Sequence, residues 1–373
     1  MTLPVKTIRS DLTIPGLSAF HVAAILPTAA NSLTHLGNIF QRKPKYRFVV
    51  TLVLTAAFFS VTGFQVPAAG TDTQGVTIAV TGDITRDAKP VSDMILAHSN
   101  VSAVLLVGDT INTGHAPLEE YQRTYQGTYG RFLSKIFPCP GNHDALSEPP
   151  FIGYITFWGK AAHAPEMYYS FDLGRWHIIS LDSQTFAKGG DAAAVQLEWL
   201  KADLAASSNV PVLTYWHHPF FSRAVSRRPL KPENAGAPPK KPSKARRYGS
   251  ALMKPFWDAI YAHGSALVMN GHDHLYQRYD PLDPEGNRVD ETRGIQEFVI
   301  GPGGGGGILK EESDNASGPV PAKFHVGTAH VGFFTLQADG AYSYVIKSLT
   351  REGVTGVVDT GSGNLLPDPK AEK

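Results

Sequence analysis

Five segments decide the fold: "VTIAVTGD" (76–83), "AVLLVGD" (103–109), "KIFPCPGNHD" (135–144), "PVLTYWHHP" (211–219) and "ALVMNGHDH" (266–274). Each is a short apolar, β-branched run that reads as a buried strand and ends directly in Gly, Asp, Asn or His. Helix-period segments lie between them, at Pro117 to Phe132, Ala192 to Ala206 and Ser250 to His263. Strands alternating with helices predict an α/β fold, in which strand carboxyl ends share one edge and the loops there form the ligand crevice. Asp83, Asp109, Asn142, His143, His217, His218, His272 and His274 all stand at such ends. Glycine precedes four of the clusters, at Gly82, Gly108, Gly141 and Gly271, where a missing side chain permits a tight turn or a close backbone approach.

Further strands are readable in "YYSFDLG", "WHIISLDS", "IQEFVIG", "GFFTLQ" and "YSYVIKSL", with no helical pattern among the last three. The strand content exceeds one parallel sheet and predicts two packed mixed sheets with helices outside, a four-layer α/β/β/α sandwich. "GPGGGGG" (301–307) reads as a flexible loop, since it lacks the "GKS" or "GKT" ending and following helix of a phosphate-binding loop. The tail after Gly361 reads as frayed.

Composition narrows the function. At 42% hydrophobic and 18% charged, the 373 residues can bury a large core. A formal net charge of +1 excludes a polycation that coats nucleic acid, and no specific nucleic-acid recognition is predicted. The average hides an acidic body, because the bases cluster in residues 1–68 and in a Pro-rich block from Arg223 to Arg247. That block, taken as an insertion over 223–248, reads as an extended loop beginning four residues after Pro219. Its cations, Arg227 and Arg228 among them, either steer phosphorylated substrates toward the site or belong to a solvated insertion that contacts anionic envelope surfaces. The single Cys139 excludes a disulfide framework and any multi-cysteine metal site, so a metal must be held by oxygen and imidazole.

"FVVTLVLTAAFFSVTGF" (48–64) carries no charge, follows the basic "QRKPKYR" and precedes "QVPAAG", with small residues in cleavage-site spacing. Residues 1–68 are therefore expected to be an extension holding an export signal, with a periplasmic or extracellular mature chain starting near Ala69. The alternative is retention of 48–64 as a membrane anchor, or a transient membrane association through it. The domain expected after it spans 69–361, with 362–373 a flexible tail.

Carboxylate, carboxamide and imidazole groups without thiolates suit two hard-to-borderline ions such as iron, manganese or zinc, one carboxylate bridging the pair. Such a site polarises a phosphoryl oxygen and generates hydroxide at neutral pH, which is hydrolase chemistry. A neutral Asn142 amide adds no charge beside the carboxylates. His272 and His274, two apart, face the same side if their segment is extended, and His218 then faces away from His217. Asp144 reads as an orienting turn carboxylate, and Tyr276 and Arg278 as packing residues.

Taken in order, "GD", "GD", "GNHD", "HHP" and "GHDH" resemble the calcineurin-like metallophosphoesterases, and within them the purple-acid-phosphatase-like branch; "YYSFDLGRWHIISLDS", "QLEWLKADLA" and "VVDTGSGN" resemble its exported bacterial members. The resemblance implies that Asp83 and His274 hold a first metal, that Asp109 bridges, and that Asn142, His217 and His272 hold the second. It implies that His143 stabilises the transition state or protonates the leaving group. Two positions depart from the pattern. Thr85 stands where many members have histidine, and Asn112 where purple acid phosphatases have tyrosine, so no purple colour is expected. Thr85, Asp87 of "GDITRD", Asn112 and His115 are the candidates to complete or support the first site. Asp144, His218, Arg227 and Arg228 are candidates for outer support or substrate contact.

The reading is an exported hydrolase of phosphate esters that attacks phosphorus in line with a metal-bound hydroxide, on a small or macromolecular phosphorylated substrate. The alternatives are a binding module of the same fold weakened at its first metal site, and a membrane-anchored adhesion scaffold using the basic block.

Overall fold

The computed structural model describes residues 75–226, 251–304, 310–312, 318–350, 353 and 355–366. The strands are β1 (Val76–Thr81), β2 (Val101–Val107), β3 (Ile136–Cys139), β4 (Tyr169–Leu173), β5 (Trp176–Ser180), β6 (Val212–Tyr215), β7 (Ala224–Ser226), β8 (Ala266–Asn270), β9 (Tyr276–Arg278), β10 (Ile295–Ile300), β11 (Lys310–Glu312), β12 (Lys323–His325), β13 (Ala329–Leu336), β14 (Ala341–Leu349) and β15 (Thr355–Asn364). The α-helices are α1 (Lys89–Ala97), α2 (Leu118–Tyr125), α3 (Ile152–Trp158), α4 (Ser183–Phe186), α5 (Gly190–Ala206) and α6 (Lys254–His263).

Two mixed sheets form, in the orders β15-β14-β13-β1-β2-β3 and β12-β9-β10-β8-β6-β5-β4. In the first, β1, β2 and β3 are parallel. In the second, β5, β6, β8 and β10 are parallel. The central strands are apolar on both faces because both faces are covered. Ile78, Val80, Leu105 and Val107 meet Leu213, Met269 and Phe298 of the other sheet. The alternate residues Ala79, Val104 and Leu106 pack under α1, α2 and α3. Leu200 and Leu204 of α5 and Trp257 and Ile260 of α6 cover the outer face of the second sheet. The four layers expected from the sequence are these.

The local differences have simple causes. The helix expected over 117–132 stops at Tyr125, because Gly127 takes a left-handed φ of 71° before a 3-10 helix at Tyr129–Lys135. The helix expected from Ala192 begins at Gly190 and buries Ala193, Gln196, Leu200 and Leu204 at helical spacing. The tail expected to fray after Gly361 is ordered further: β15 pairs with β14 as far as Asn364, and Leu365 is buried. At its described start the basic block departs from the expected loop, since Ala224–Ser226 pair antiparallel with Lys310–Glu312. The 48–64 run, Arg227, Arg228, the rest of the basic insertion and Gly305 to Gly307 lie outside the described residues.

Candidate metal centre

The carboxyl ends of β1, β2 and β3 meet those of β6 and β8 at one edge. Asp83 follows β1, Asp109 follows β2, Asn142 and His143 follow β3, His217 follows β6, and His272 and His274 follow β8. Three of these residues hold left-handed backbone that favours glycine: Asp83 at φ 54°, Asp109 at 45° and His272 at 68°. Such conformations cost of order 1–3 kcal/mol and persist where surrounding structure imposes them. Here the two-sheet core and close glycine contacts impose them. A Cβ on Gly108, itself at φ 83°, would stand 2.5 Å from the Cβ of His217, and one on Gly271 would stand 2.8 Å from Asp83 Oδ2.

His217 is fully buried and its Nδ1 donates to the Val107 carbonyl at 3.0 Å, which leaves Nε2 facing the site. Nε2 lies 3.2 Å from Asp109 Oδ1 and 3.1 Å from Asn142 Oδ1. His272 Nδ1 lies 3.0 Å from that same Asn142 oxygen. In an octahedral shell with bonds of about 2.1 Å, neighbouring ligand atoms stand about 3.0 Å apart. These three pairings among the four donor groups already have the spacing of neighbouring ligands on one metal, and their two oxygens and two imidazole nitrogens suit manganese, iron or zinc. Burial opposes charge on His217, yet the Asp109 carboxylate and, less strongly, Asp83 outweigh it and raise its pKa to about 9. Burial opposes charge on Asp109 too, but His217 and His143 hold its pKa below the ordinary value. The site attracts positive charge strongly enough to draw a proton onto a buried imidazole.

The second set is built on Asp83. Its Oδ1 lies 3.3 Å from His274 Nε2, and its Oδ2 accepts the His272 amide at 3.0 Å. The side-chain amide of Asn112 stands between the two ligand candidates, 2.7 Å from His274 Nε2 and 3.4 Å from Asp83 Oδ1. His274 turns Nε2 to this point at the expense of Nδ1, which is buried without a hydrogen-bond partner among the described residues. Asp83, Asp109 and His217 offer ligand atoms within 4.8 Å of one another, as do His217, His218 and His272. The carboxylate, carboxamide and imidazole donors gathered here fit metal ions of the iron, manganese or zinc kind.

His143 lies at the open side. Its amide donates to Asp109 Oδ1 at 2.7 Å, its Nδ1 donates to the Thr113 carbonyl at 2.6 Å, and its Nε2 is 3.9 Å from Asp109 Oδ2. Asp144 beneath it is fully buried. It accepts from the Thr110 amide and hydroxyl, the Ile111 amide, the Gly141 amide and Tyr121, so one carboxylate ties the Asp109 loop to the Asn142 loop. Burial, then the Asp109 charge, raise its pKa to about 6.

Other candidates sit differently from expectation. Asp87 is exposed and joins neither ligand group, because the chain leaves the edge to enter α1. His115 is also exposed and lines a hollow of about 490 Å³ with Leu118, Leu146 and Ile152, outside both ligand groups. Thr85 is half-buried against Gly304. The segment 271–275 is bent rather than extended, and His272 and His274 converge through the positive φ of His272, not by strand alternation. His218 does not face away from His217: β6 ends at Tyr215, and the two rings lie 5.0 Å apart, with His218 4.6 Å from His272.

Three groups escaped the sequence reading. Ser183 at the start of α4 contacts His218 Nδ1 at 3.0 Å. Glu297 on β10, buried, accepts the amides of Phe220 and Phe221 and fixes the loop after Pro219. His330, buried on β13, donates from Nδ1 to the Gly301 carbonyl and from its amide to Pro302. That fastens Gly301 to Gly304 beside Asp83, where a flexible loop was expected; Gly303 donates to Gly82 and accepts from Tyr129.

Fold and site together define the metallophosphoesterase class. The chain belongs to the calcineurin-like phosphoesterase family, whose model matches residues 76–276. It is 23% identical over 278 residues to "Purple acid phosphatase 15" of Arabidopsis thaliana, covering 65% of this chain and 48% of that protein. It is 27% identical over 125 residues to the "Probable cyclic nucleotide phosphodiesterase" of Vesicomyosocius okutanii, covering 33% of this chain and 48% of that one. The purple acid phosphatase PPD1 from yellow lupin (Lupinus luteus) seeds shares the fold, with a TM-score of 0.55 at 14% identity over 79% of this chain and 54% of that one. The chain thus spans about half the length of these relatives.

Proposed function

We propose that the protein hydrolyses phosphate esters at this edge with two bound metal ions, held by Asp83, His274 and Asp109 on one side and by Asp109, Asn142, His217 and His272 on the other. The observation that carries the reading is the convergence on His217 Nε2 of Asp109 Oδ1 and Asn142 Oδ1 at 3.2 and 3.1 Å. When bound, such ions polarise phosphoryl oxygens and lower the pKa of water to near neutrality.

The chain's own groups do the rest. Val107 fixes the His217 tautomer so that Nε2 serves the site. Asp144 holds the Asp109 and Asn142 loops in register. His143, anchored at Nδ1 by Thr113, has Nε2 left to carry a proton to the leaving oxygen. Two of the relatives named above, a phosphatase and a phosphodiesterase, support ester hydrolysis without choosing between monoester and diester. An assay with p-nitrophenyl phosphate and bis-p-nitrophenyl phosphate across manganese, zinc and iron tests the reading. Metal-dependent turnover of either ester supports it, and an inert protein that still binds two ions points instead to a binding module.

We also propose that the chain is exported, on the strength of the apolar 48–64 run and the small residues after it. Sequencing of the secreted form should find an N-terminus near Ala69; a form retaining Phe48 would show an anchor.

A further inference from the structure

His218 is held more firmly than an ordinary loop residue. Its amide donates to Ser183 Oγ at 3.2 Å, its carbonyl accepts from Trp216 Nε1 at 2.7 Å, and its Nδ1 lies 3.0 Å from Ser183 Oγ. Ser183 is fully buried, so its hydroxyl proton needs an acceptor. The acceptor in reach is His218 Nδ1, because the other contact of that oxygen is with an amide that can only donate. Ser183 therefore sets the tautomer: Nδ1 accepts and Nε2 bears the proton.

A neutral imidazole in that state has no lone pair to give a metal. It is a hydrogen-bond donor, although its ring nitrogen falls within 4.8 Å of ring nitrogens of His217 and His272. The ring is half-buried beside the His272 side of the site, with its backbone fixed at both the amide and the carbonyl. A fixed donor beside a metal-ligand imidazole is placed to stabilise an anionic oxygen without reorganising.

We propose that His218, positioned by Ser183, donates from Nε2 to a non-bridging phosphoryl oxygen of the ester and of inorganic phosphate. This rests on the phosphoester reading above and extends it to a residue outside the ligand set.

The test uses the metal-loaded protein, with p-nitrophenyl phosphate for turnover and calorimetric binding of inorganic phosphate. His218→Ala should keep two metal equivalents, weaken phosphate binding about 10- to 100-fold and lower kcat/KM by a similar factor, as loss of a hydrogen bond to a charged group does. His218→Asn, which keeps an N–H, should recover part of both. Ser183→Ala should give an intermediate loss, since the tautomer is then free. A His218→Ala protein that loses one metal equivalent would make His218 a ligand and overturn the proposal. Unchanged phosphate affinity with both metals bound would overturn it equally. A wild-type protein inert toward every ester sinks the hydrolase reading alone, because phosphate binding by wild type and His218→Ala still decides the role of His218.

Discussion

Thr110 gives both its amide and its hydroxyl to Asp144, at 3.0 and 2.7 Å. The pair binds the loop that carries Asp109 to the loop that carries Asn142, whose preceding Gly141 donates to the same carboxylate at 2.8 Å. Asp144→Asn replaces one acceptor oxygen by a donor in a site lined with donors. Manganese affinity should fall about 10- to 100-fold, as on loss of groups that orient metal ligands. Unfolding should become easier by about 1–3 kcal/mol. Calorimetric titration and urea unfolding measure the two effects, and a variant unchanged in both would contradict this role.

Gly108 leaves no room for a side chain, since an added Cβ would meet His217 at 2.5 Å and the φ of 83° is unfavourable for any L residue. Gly108→Ala should destabilise the fold by about 1–3 kcal/mol and displace His217, so that the second metal is lost or weakened. Gly114 has open space around it and serves as the control. Gly114→Ala should stay within about 0.5 kcal/mol of wild type. Equal behaviour of the two alanine variants would count against a close-packed second site.

Asn112 stands where Asp83 and His274 converge. Which end of its amide faces them is a matter of orientation; with its oxygen turned inward it supplies a neutral ligand to the first ion. Asn112→Ala should lower first-site occupancy below one equivalent at limiting manganese, whereas Asn112→Asp should keep it. Elemental analysis after gel filtration reads the difference. Full occupancy in the alanine variant would exclude Asn112 from the ligand set.

Much of this site was legible because a buried strand ending in Asp, Asn or His is ordinary once, while five in order bring their polar ends to one edge. The sheets were legible for a related reason, since strands such as "AVLLV" are apolar on both faces. The illegible parts depend on contacts distant in sequence. Apart from Pro302, the Gly301 to Gly304 segment has little conformational preference of its own, and His330 and Tyr129 decide its place. Ser183 reaches His218 across 35 residues from a helix of one turn. Alternation misplaced His218 because it presumes an extended chain, and β6 ends two residues before His217.

A stability test lies away from the metals. His177 on β5 is held between Asp172 at 2.8 Å and Asp203 at 2.9 Å. Burial alone would lower its pKa, but the hydrogen bonds and charges of Asp203 and Asp172 outweigh this and raise it. Asp172 is largely exposed, so water screens its share. The folded value exceeds the unfolded value of about 6.5, so the stabilisation is fully present below that pH and is lost as pH rises through the raised value. His177→Gln should therefore be less stable than wild type at pH 5.5, with the gap narrowing by pH 9, as urea unfolding would report. A gap that widens with pH would contradict the assignment.

The most direct measurement is hydrolysis of p-nitrophenyl phosphate and its bis ester after exhaustive chelation, followed by stepwise return of manganese with metal content counted in the same samples. The account predicts that turnover vanishes with the metal and returns as occupancy approaches two ions per chain. Undiminished turnover by the metal-free protein, or full recovery with Asp109 replaced by alanine, would contradict it.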